Sequence, residues 1–482
     1  MRDTTPNLAA ADDERWYVGI TRYQWIVLLI ASLGWVFDAF EGQIFVASMN
    51  EAMPSLLPTG TPSGRIALYN NVAFGGFLLG GALGGIVFGV LSDRFGRKRT
   101  MSWTILFYSL FTCVSAFSQQ WWHLAAFRFL VALGVGGEWA VASALVAEVF
   151  PKRARAHVAS IFHASSVLGV YLAIAAGTLI LGNPAVKQWA DNLDASWIRA
   201  VAEPASLPWR LSFALGGLPA LLILWIRRSL REPENWQSAR LRAEQHPAEK
   251  LGAIGALFQA DYLRRTCVGV ALAAVGLATF WGAHIYGKDM LRRAAEQRYF
   301  ADTTLPVRAG AAPAVLSTAI LEEHAARLKR WEMLGMFLVT TGAGIGLVAF
   351  GPLSQWLGRR GAFLVFQLGG LGSALLVFQV LREVPALLAA LPVFGFLTGG
   401  MHSGFAVYFP ELYPTRLRGT GAGFCFNAGR ILAAPALFLV GWLQDKHAYS
   451  LPDAASLMSL LFLLGMAVVL FAPETRGREL PD

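Results

Sequence analysis

The stretch Gly89–Lys98 reads G-V-L-S-D-R-F-G-R-K, and Gly351–Arg360 reads G-P-L-S-Q-W-L-G-R-R. A second pair follows in the same order: E-V-F-P-K-R-A-R at Glu148–Arg155 and E-L-Y-P-T-R-L-R at Glu411–Arg418. The offsets nearly agree, 351 − 89 = 262 and 411 − 148 = 263. Two unrelated motifs repeating at almost one interval mean that the chain is built twice. Each motif lies between apolar runs of about 20 residues, the length of helix that crosses a ~30 Å hydrocarbon core. Working outward from the motifs, roughly twelve such runs can be marked.

Composition agrees with this reading. Of 482 residues, 55% are hydrophobic and only 15% charged, too few charges to coat a soluble protein of this length. The expected fold is an all-α membrane protein, about twelve transmembrane helices in two six-helix pseudo-symmetric halves around a central cavity. The halves are residues 1–230 and 266–482, joined by a polar linker at 231–265. A long outward loop is expected at 287–330, with a helix-like run from Pro313 to Arg330. The net charge of +9 sits in short loops at alternate ends of the spans, among them Arg94, Arg97, Lys98, Lys152, Arg155, Arg359, Arg360, Arg416 and Arg418. That pattern records topology by the positive-inside rule and does not imply a nucleic-acid partner. The residues before the first span lack a cleavable signal pattern, so a multi-pass inner (plasma) membrane protein with both termini cytoplasmic is expected.

The Gly89–Lys98 loop resembles the signature loop of the major facilitator superfamily, and the second copy and both E-x-[FY]-P-x-R-x-R segments extend the likeness over nearly the whole chain. P-E-T-R-G at Pro473–Gly477 resembles the ending common among sugar porters. R-F-L-V-A-L-G-V-G-G-E-W at Arg128–Trp139 is most similar to the sialate and lactate proton-symporter branch. The resemblance implies alternating access, with the motif residues Asp93, Arg94, Arg97, Glu138, Glu148, Arg155, Arg359, Glu411 and Arg418 gating one face. Asp93 can sit near the positive end of a helix dipole, and Arg97 can pair with Asp93, Glu138 or Glu148. The second copy has Gln355 in place of Asp93, so a latch there should be weaker.

Ionisable groups inside spans are expensive and usually face a cavity or a partner. F-D-A-F-E-G-Q in span one puts Asp38 and Glu41 three residues apart on one helix face, and span four carries Arg128. In proton-coupled sugar porters a span-one acid pairs with a span-four arginine, and Glu41 and Arg128 match those places. An acid beside arginine stays ionised while one beside a second acid is pushed toward holding a proton, so Asp38, Glu41 and Arg128 form the expected proton-coupling group. The competing reading is a static ion pair. Arg430 lies mid-span in N-A-G-R-I-L with no acid near it in sequence, and its planar guanidinium suits a carboxylate. Gln43, His163, Trp281, His284, Tyr286, His402 and Asn427 are the further substrate-binding candidates, although each intramembrane histidine is more often a packing residue.

These residues point to a secondary active transporter, a proton-coupled symporter of a small organic anion such as a monocarboxylate or sugar acid. Its partners are a small-molecule substrate, protons and the lipid bilayer, and a monomer is expected. A neutral-solute or sugar porter stays open, although span seven reads A-T-F-W-G-A-H-I-Y where sugar porters usually carry paired glutamines. A non-transporting membrane sensor would usually append a large soluble tail. An enzyme is not expected: no nucleophile–base set, zinc motif or phosphate loop is present, and no cofactor or metal is implied.

Overall fold

The computed structural model describes residues 15–181, 183–192, 206–246, 249–302 and 313–481. Ten helical stretches are long and apolar enough to cross a membrane. The first half contributes α1 (Arg22–Ser55), α2 (Ser63–Phe95), α4 (Trp121–Val149), α5 (Lys152–Leu181) and α6 (Leu207–Ser229). The second contributes α7 (Ala260–Gly282), α10 (Val384–Leu412), α11 (Thr415–His447) and α12 (Leu451–Phe471). The tenth stretch, Arg327–Val380, is two helices, α8 (327–357) and α9 (359–380), meeting at Gly358, whose φ of 80° only glycine adopts readily. Gly96, at φ 103°, makes the matching turn between α2 and α3 (Arg97–Ser115). The hydroxyls of Thr100, Ser102, Thr104, Tyr108, Ser109, Thr112 and Ser115 make α3 less apolar than its neighbours, and it completes the twelve.

One expectation needs correction. The stretch 287–330 is not simply a loop: α7 continues through a short 3₁₀ turn into an outer helix, Gly287–Asp302, packed against α8 and α10. Its buried residues Met290, Leu291, Ala294 and Ala295 recur at helical spacing, an apolar stripe masked in the sequence by the charges between them. The linker is ordered too. Its helix Glu234–Gln245 buries Trp236, whose indole N–H donates to the Asp93 carbonyl at 2.7 Å.

Small residues set how the halves are built and how they meet. One glycine stripe on α2 faces α4: Gly80 and Gly84 lie against the carbonyls of Phe129 and Leu133, one turn apart. The other stripe faces α11 in the opposite half: Gly81 lies beside Arg430, Gly85 beside the Asn427 amide, and Gly89 against the Gly419 carbonyl. The second half repeats the scheme, with Gly342 and Gly346 against Pro392 and Phe396 of α10 and with Gly344 and Gly351 against Val167 and Ala156 of α5. Close backbone approach is what holds helices together where lipid is as apolar as leucine. The two stripes should therefore fail differently. Gly84→Val should destabilise the folded protein by about 3 kcal/mol or more, read as a lower thermal midpoint in detergent. Gly85→Val should leave that midpoint nearly unchanged while opening the α2–α11 contact, read as faster cysteine labelling at that interface.

Candidate functional site: a buried ion knot and a central charged group

At the basic face, all five N–H donors of Arg97 are used. Nη1 donates to the Ser92 carbonyl and to Asp93 Oδ1, both at 2.8 Å, and Nε and Nη2 grip the Glu148 carboxylate at 3.0 and 2.7 Å. The last reaches across to the Thr415 carbonyl at 3.0 Å. Arg418 of the second half binds the same Glu148 oxygen at 2.8 Å, so one buried carboxylate is shared by two arginines from opposite halves. Such charges are tolerated out of water because every donor and acceptor is matched. Asp93 accepts from the backbone N–H groups of Gly419 and Thr420 and from the Thr420 hydroxyl, at 3.0, 2.7 and 2.6 Å. It therefore caps the first turn of α11, where the helix dipole favours a negative charge.

The second copy repeats the pair without the crossing. Arg359 grips Glu411 at 3.0 and 2.8 Å and donates to the Ser354 carbonyl. Gln355, standing where Asp93 does, reaches the Arg153 carbonyl only at 3.5 Å. Arg155, in the place of Arg418, donates to the Ala147 carbonyl instead of forming an ion pair with Glu411. Arg94 is exposed and outside the knot. Glu138 is the one motif acid the sequence misplaces. It lies ten residues before Glu148, about 15 Å along a straight helix, bonded to Thr104 and packed against Gly34 of α1.

The central group draws on α1, α3, α4 and α11. Glu41 accepts from Thr112 at 2.9 Å and faces Arg128 at 3.6 Å. Arg128 lies over the Phe213 ring at 4.5 Å and donates to Ser115 at 3.0 Å. Asp38, 2% exposed, has neither carboxylate oxygen hydrogen-bonded among the described residues. The charges acting on it are Glu138 and Glu41, against it, and Arg430 from the other half. Arg430 makes no ion pair within 4 Å among the described residues. It lies 5.1 Å from the Phe426 ring, which stacks on Trp139 at 4.2 Å. Trp139 donates to His163 Nδ1 at 3.1 Å, and Trp35 donates to the His163 carbonyl, so His163 is a satisfied packing residue.

The remaining candidates divide. His284 bonds Thr398 at 2.7 Å and stacks on Phe280, which also touches His402 at 5.3 Å; His402 keeps a buried, unpartnered Nε2. Trp281 and Tyr286 are half-buried beside this cluster. Asn427 donates to its own helix at Gly423 and is wedged against Gly85, fully buried. Gln43 is exposed on α1, two residues past Glu41 and so turned away from it.

The sequence profile of the Major Facilitator Superfamily matches residues 25–434. The chain belongs to that superfamily. A Haemophilus influenzae protein named as a metabolite transport protein is 28% identical over 96% of this chain and 99% of its own. The sialic acid transporter of Escherichia coli is 26% identical over 88% of both chains, and the cis,cis-muconate transport protein of Acinetobacter baylyi is 26% identical over 93% and 94%. Among solved structures, the proton:xylose symporter superposes with a TM-score of 0.66 at 17% identity, covering 95% of this chain and 98% of that one, a likeness of fold. This superfamily member is thus a multi-pass membrane transporter of small metabolites.

Two knot residues escaped the sequence reading. Glu232, in the linker, accepts from the backbone N–H groups of Arg97, Lys98 and Arg99, capping α3. Glu474 does the same for Arg359 and Arg360 at α9. The signal was present in P-E-T-R-G and in R-E-P-E at Arg231–Glu234, since each places a glutamate just past the last helix of its half. Burial would push the Glu474 carboxyl up, but the backbone N–H groups of Arg359, Arg476 and Arg360 outweigh it and hold the group below the usual 4.5. With a depressed acid, stability at this junction is full above the unfolded value and is lost as pH falls through the lower folded one. Glu474→Gln should therefore remove the acid-side fall in the thermal midpoint of the α9 junction.

Asp93→Asn removes the charge from the α11 cap, an interaction of about 1–2 kcal/mol. The closed basic face should lose about 5- to 30-fold in population, measured by cysteine labelling from each side of the membrane, with substrate affinity within the closed state unchanged.

Proposed function

We propose that the transporter is a proton-coupled symporter of small organic anions, that the basic face is cytoplasmic, and that Asp38 carries the coupling proton. The observation that carries the reading is Asp38 itself, a buried carboxylate without a hydrogen bond among the described residues, within electrostatic reach of Arg430 across the interface. The two form a competition. An ionised Asp38 neutralises Arg430 electrostatically and leaves an incoming anion little to bind. A protonated Asp38 frees the guanidinium, which can take a carboxylate bidentately. Proton and anion thus favour each other's binding, which is the thermodynamic content of symport. Glu41, held by Thr112 and Arg128, keeps the second charge nearby and fixed. The stacked pair Trp139–Phe426 beside Arg430 offers a flat apolar wall to an unsaturated or planar acid. Relatives named for sialic acid and cis,cis-muconate, both carboxylic acids, support the anionic class.

Alternating access follows from the knot. The halves are tied at the basic face by Asp93, Glu148 and Arg418, so opening that face requires these bonds to break together. Solute binding at the central group supplies differential affinity between the two states, the only way a ligand shifts such an equilibrium.

Reconstitution into liposomes tests the coupling. An imposed pH gradient should drive uptake of labelled cis,cis-muconate by the wild type, and Asp38→Asn should abolish the accumulation while retaining exchange. Calorimetry then tests the sign of the substrate. Wild type should bind an acid at least tenfold more tightly than its uncharged amide, and Arg430→Gln should erase the difference, with Arg430→Lys restoring part of it. Equal binding of acid and amide by the wild type would favour the neutral-solute reading instead.

A further inference from the structure

The duplicated architecture supplies an internal control at the basic face. In the first half Gln24, near the start of α1, donates to the Val149 carbonyl at 2.8 Å, and Lys98 of α3 donates to the Arg227 carbonyl at 2.9 Å. The second half repeats both bonds. Arg265, near the start of α7, donates to the Leu412 carbonyl at 2.9 Å, and Arg360 of α9 donates to the Leu470 carbonyl at 3.1 Å. Val149 and Leu412 directly follow the motif acids Glu148 and Glu411, so the positions correspond. One residue earlier on each helix, the Tyr23 hydroxyl accepts from the Arg231 backbone N–H at 3.1 Å, and Arg264 donates to the Phe471 carbonyl at 3.2 Å. Tying these helices together therefore needs no charge at either position, since tyrosine and glutamine do it in the first half. The second half has arginine at both.

These arginines converge. Arg264, Arg265, Arg360 and Arg478 line one groove of about 530 Å³ where the starts of α7 and α9 meet the end of α12. None of the four makes an ion pair within 4 Å among the described residues. The groove holds two acids against these four cations. Glu474 is already taken by the backbone N–H groups of Arg359, Arg360 and Arg476, and Asp261 is exposed in the first turn of α7. Arg264, Arg265 and Arg360 each use one of five N–H donors on a backbone carbonyl, which anchors the guanidinium and leaves its other donors unspent among the described residues. The rim is of opposite character: Leu263 of α7 and Leu470 and Phe471 of α12 are exposed large apolar residues. A cationic groove with an apolar rim, at the end of membrane-spanning helices, fits an amphiphile with an anionic head better than a free anion.

We infer that this groove binds the headgroup of an acidic phospholipid. The phosphodiester, singly negative with two free oxygens, meets Arg264, Arg265 and Arg360, which can take it bidentately, and Arg478 adds a fourth charge from beyond α12. The acyl chains run past Leu263, Leu470 and Phe471. The headgroup braces the second-half junction from behind, because Arg265 holds the carbonyl next to Glu411 and Arg360 follows Arg359, the partner of Glu411. The site depends on neither the solute nor the coupling ion.

The full-length protein in neutral detergent is titrated with dioleoyl phosphatidylglycerol, with dioleoyl phosphatidylcholine and with inorganic phosphate, and binding is read by native mass spectrometry and by the thermal midpoint. Phosphatidylglycerol should bind and raise the midpoint, phosphatidylcholine with the same chains should bind about tenfold more weakly or less, and inorganic phosphate should not displace the lipid. The double variant Arg264→Tyr, Arg265→Gln installs the residues that make these bonds in the first half. Its phosphatidylglycerol affinity should fall about 25-fold, about fivefold for each arginine lost. Arg478→Gln, on an exposed side chain, should lose about fivefold with its lipid-free midpoint unchanged, and it decides the matter should the double variant fail to fold. Equal affinity of the wild type for the two lipids, or wild-type phosphatidylglycerol affinity in the variants, overturns the inference. Displacement of the lipid by inorganic phosphate at equal concentration assigns the groove to a soluble anion and overturns it too.

Discussion

The shared carboxylate of Glu148 is the contact on which the rest of the molecule depends. Arg97 from its own half and Arg418 from the other close on it inside a low-dielectric region, where an unpaired guanidinium charge would be costly. Because its members come from both halves, the cluster is a structural anchor and a junction at once. Removing Glu148 would leave buried positive charge uncompensated, a penalty of about 3–5 kcal/mol. The glycine stripes of α2 bring the backbones close enough for these short side-chain bonds to form.

The middle of the membrane follows the opposite rule. In the knot every charge is matched; around Asp38, Arg128, Glu138 and Tyr108, matching is incomplete among the described residues. A fully satisfied network resists change, and an incompletely satisfied one is poised to accept a proton or a ligand. The contrast is what the proposed division of labour rests on, a part that holds a state and a part that responds to solute. It also explains why the two halves, alike in motif, differ in strength. Asp93 caps α11 with three short bonds, whereas Gln355 makes one long contact.

Much of this was legible beforehand. The two motif pairs at offsets of 262 and 263 announced the duplicated architecture (351 − 89 and 411 − 148), and the resemblance to proton-coupled sugar porters pointed to Glu41, of the two acids in span one, as the partner of Arg128. The misplacement of Glu138 came from counting it among the acids open to Arg97, since nothing local says that Thr104 lies one helix away. His163 was singled out because histidine is rare in lipid, yet two tryptophans from other helices satisfy it. The outer helix Gly287–Asp302 was hidden because its apolar stripe is diluted by the charges on its exposed side.

What the sequence determined by itself is whatever depends on periodicity and on the cost of burying charge: the number of spans, their duplication, the basic face and the identity of the intramembrane ions. These are properties of single segments in a solvent that accepts no unpaired polar group, so they show without a partner in view. What only the tertiary structure decided is which ions meet. Arg97 and Thr415, Asp93 and Thr420, Glu148 and Arg418 are hundreds of residues apart and share no local pattern. Their meeting is fixed by the crossing of α2 with α11, set by glycine-to-backbone contacts whose partners come from the other half of the chain.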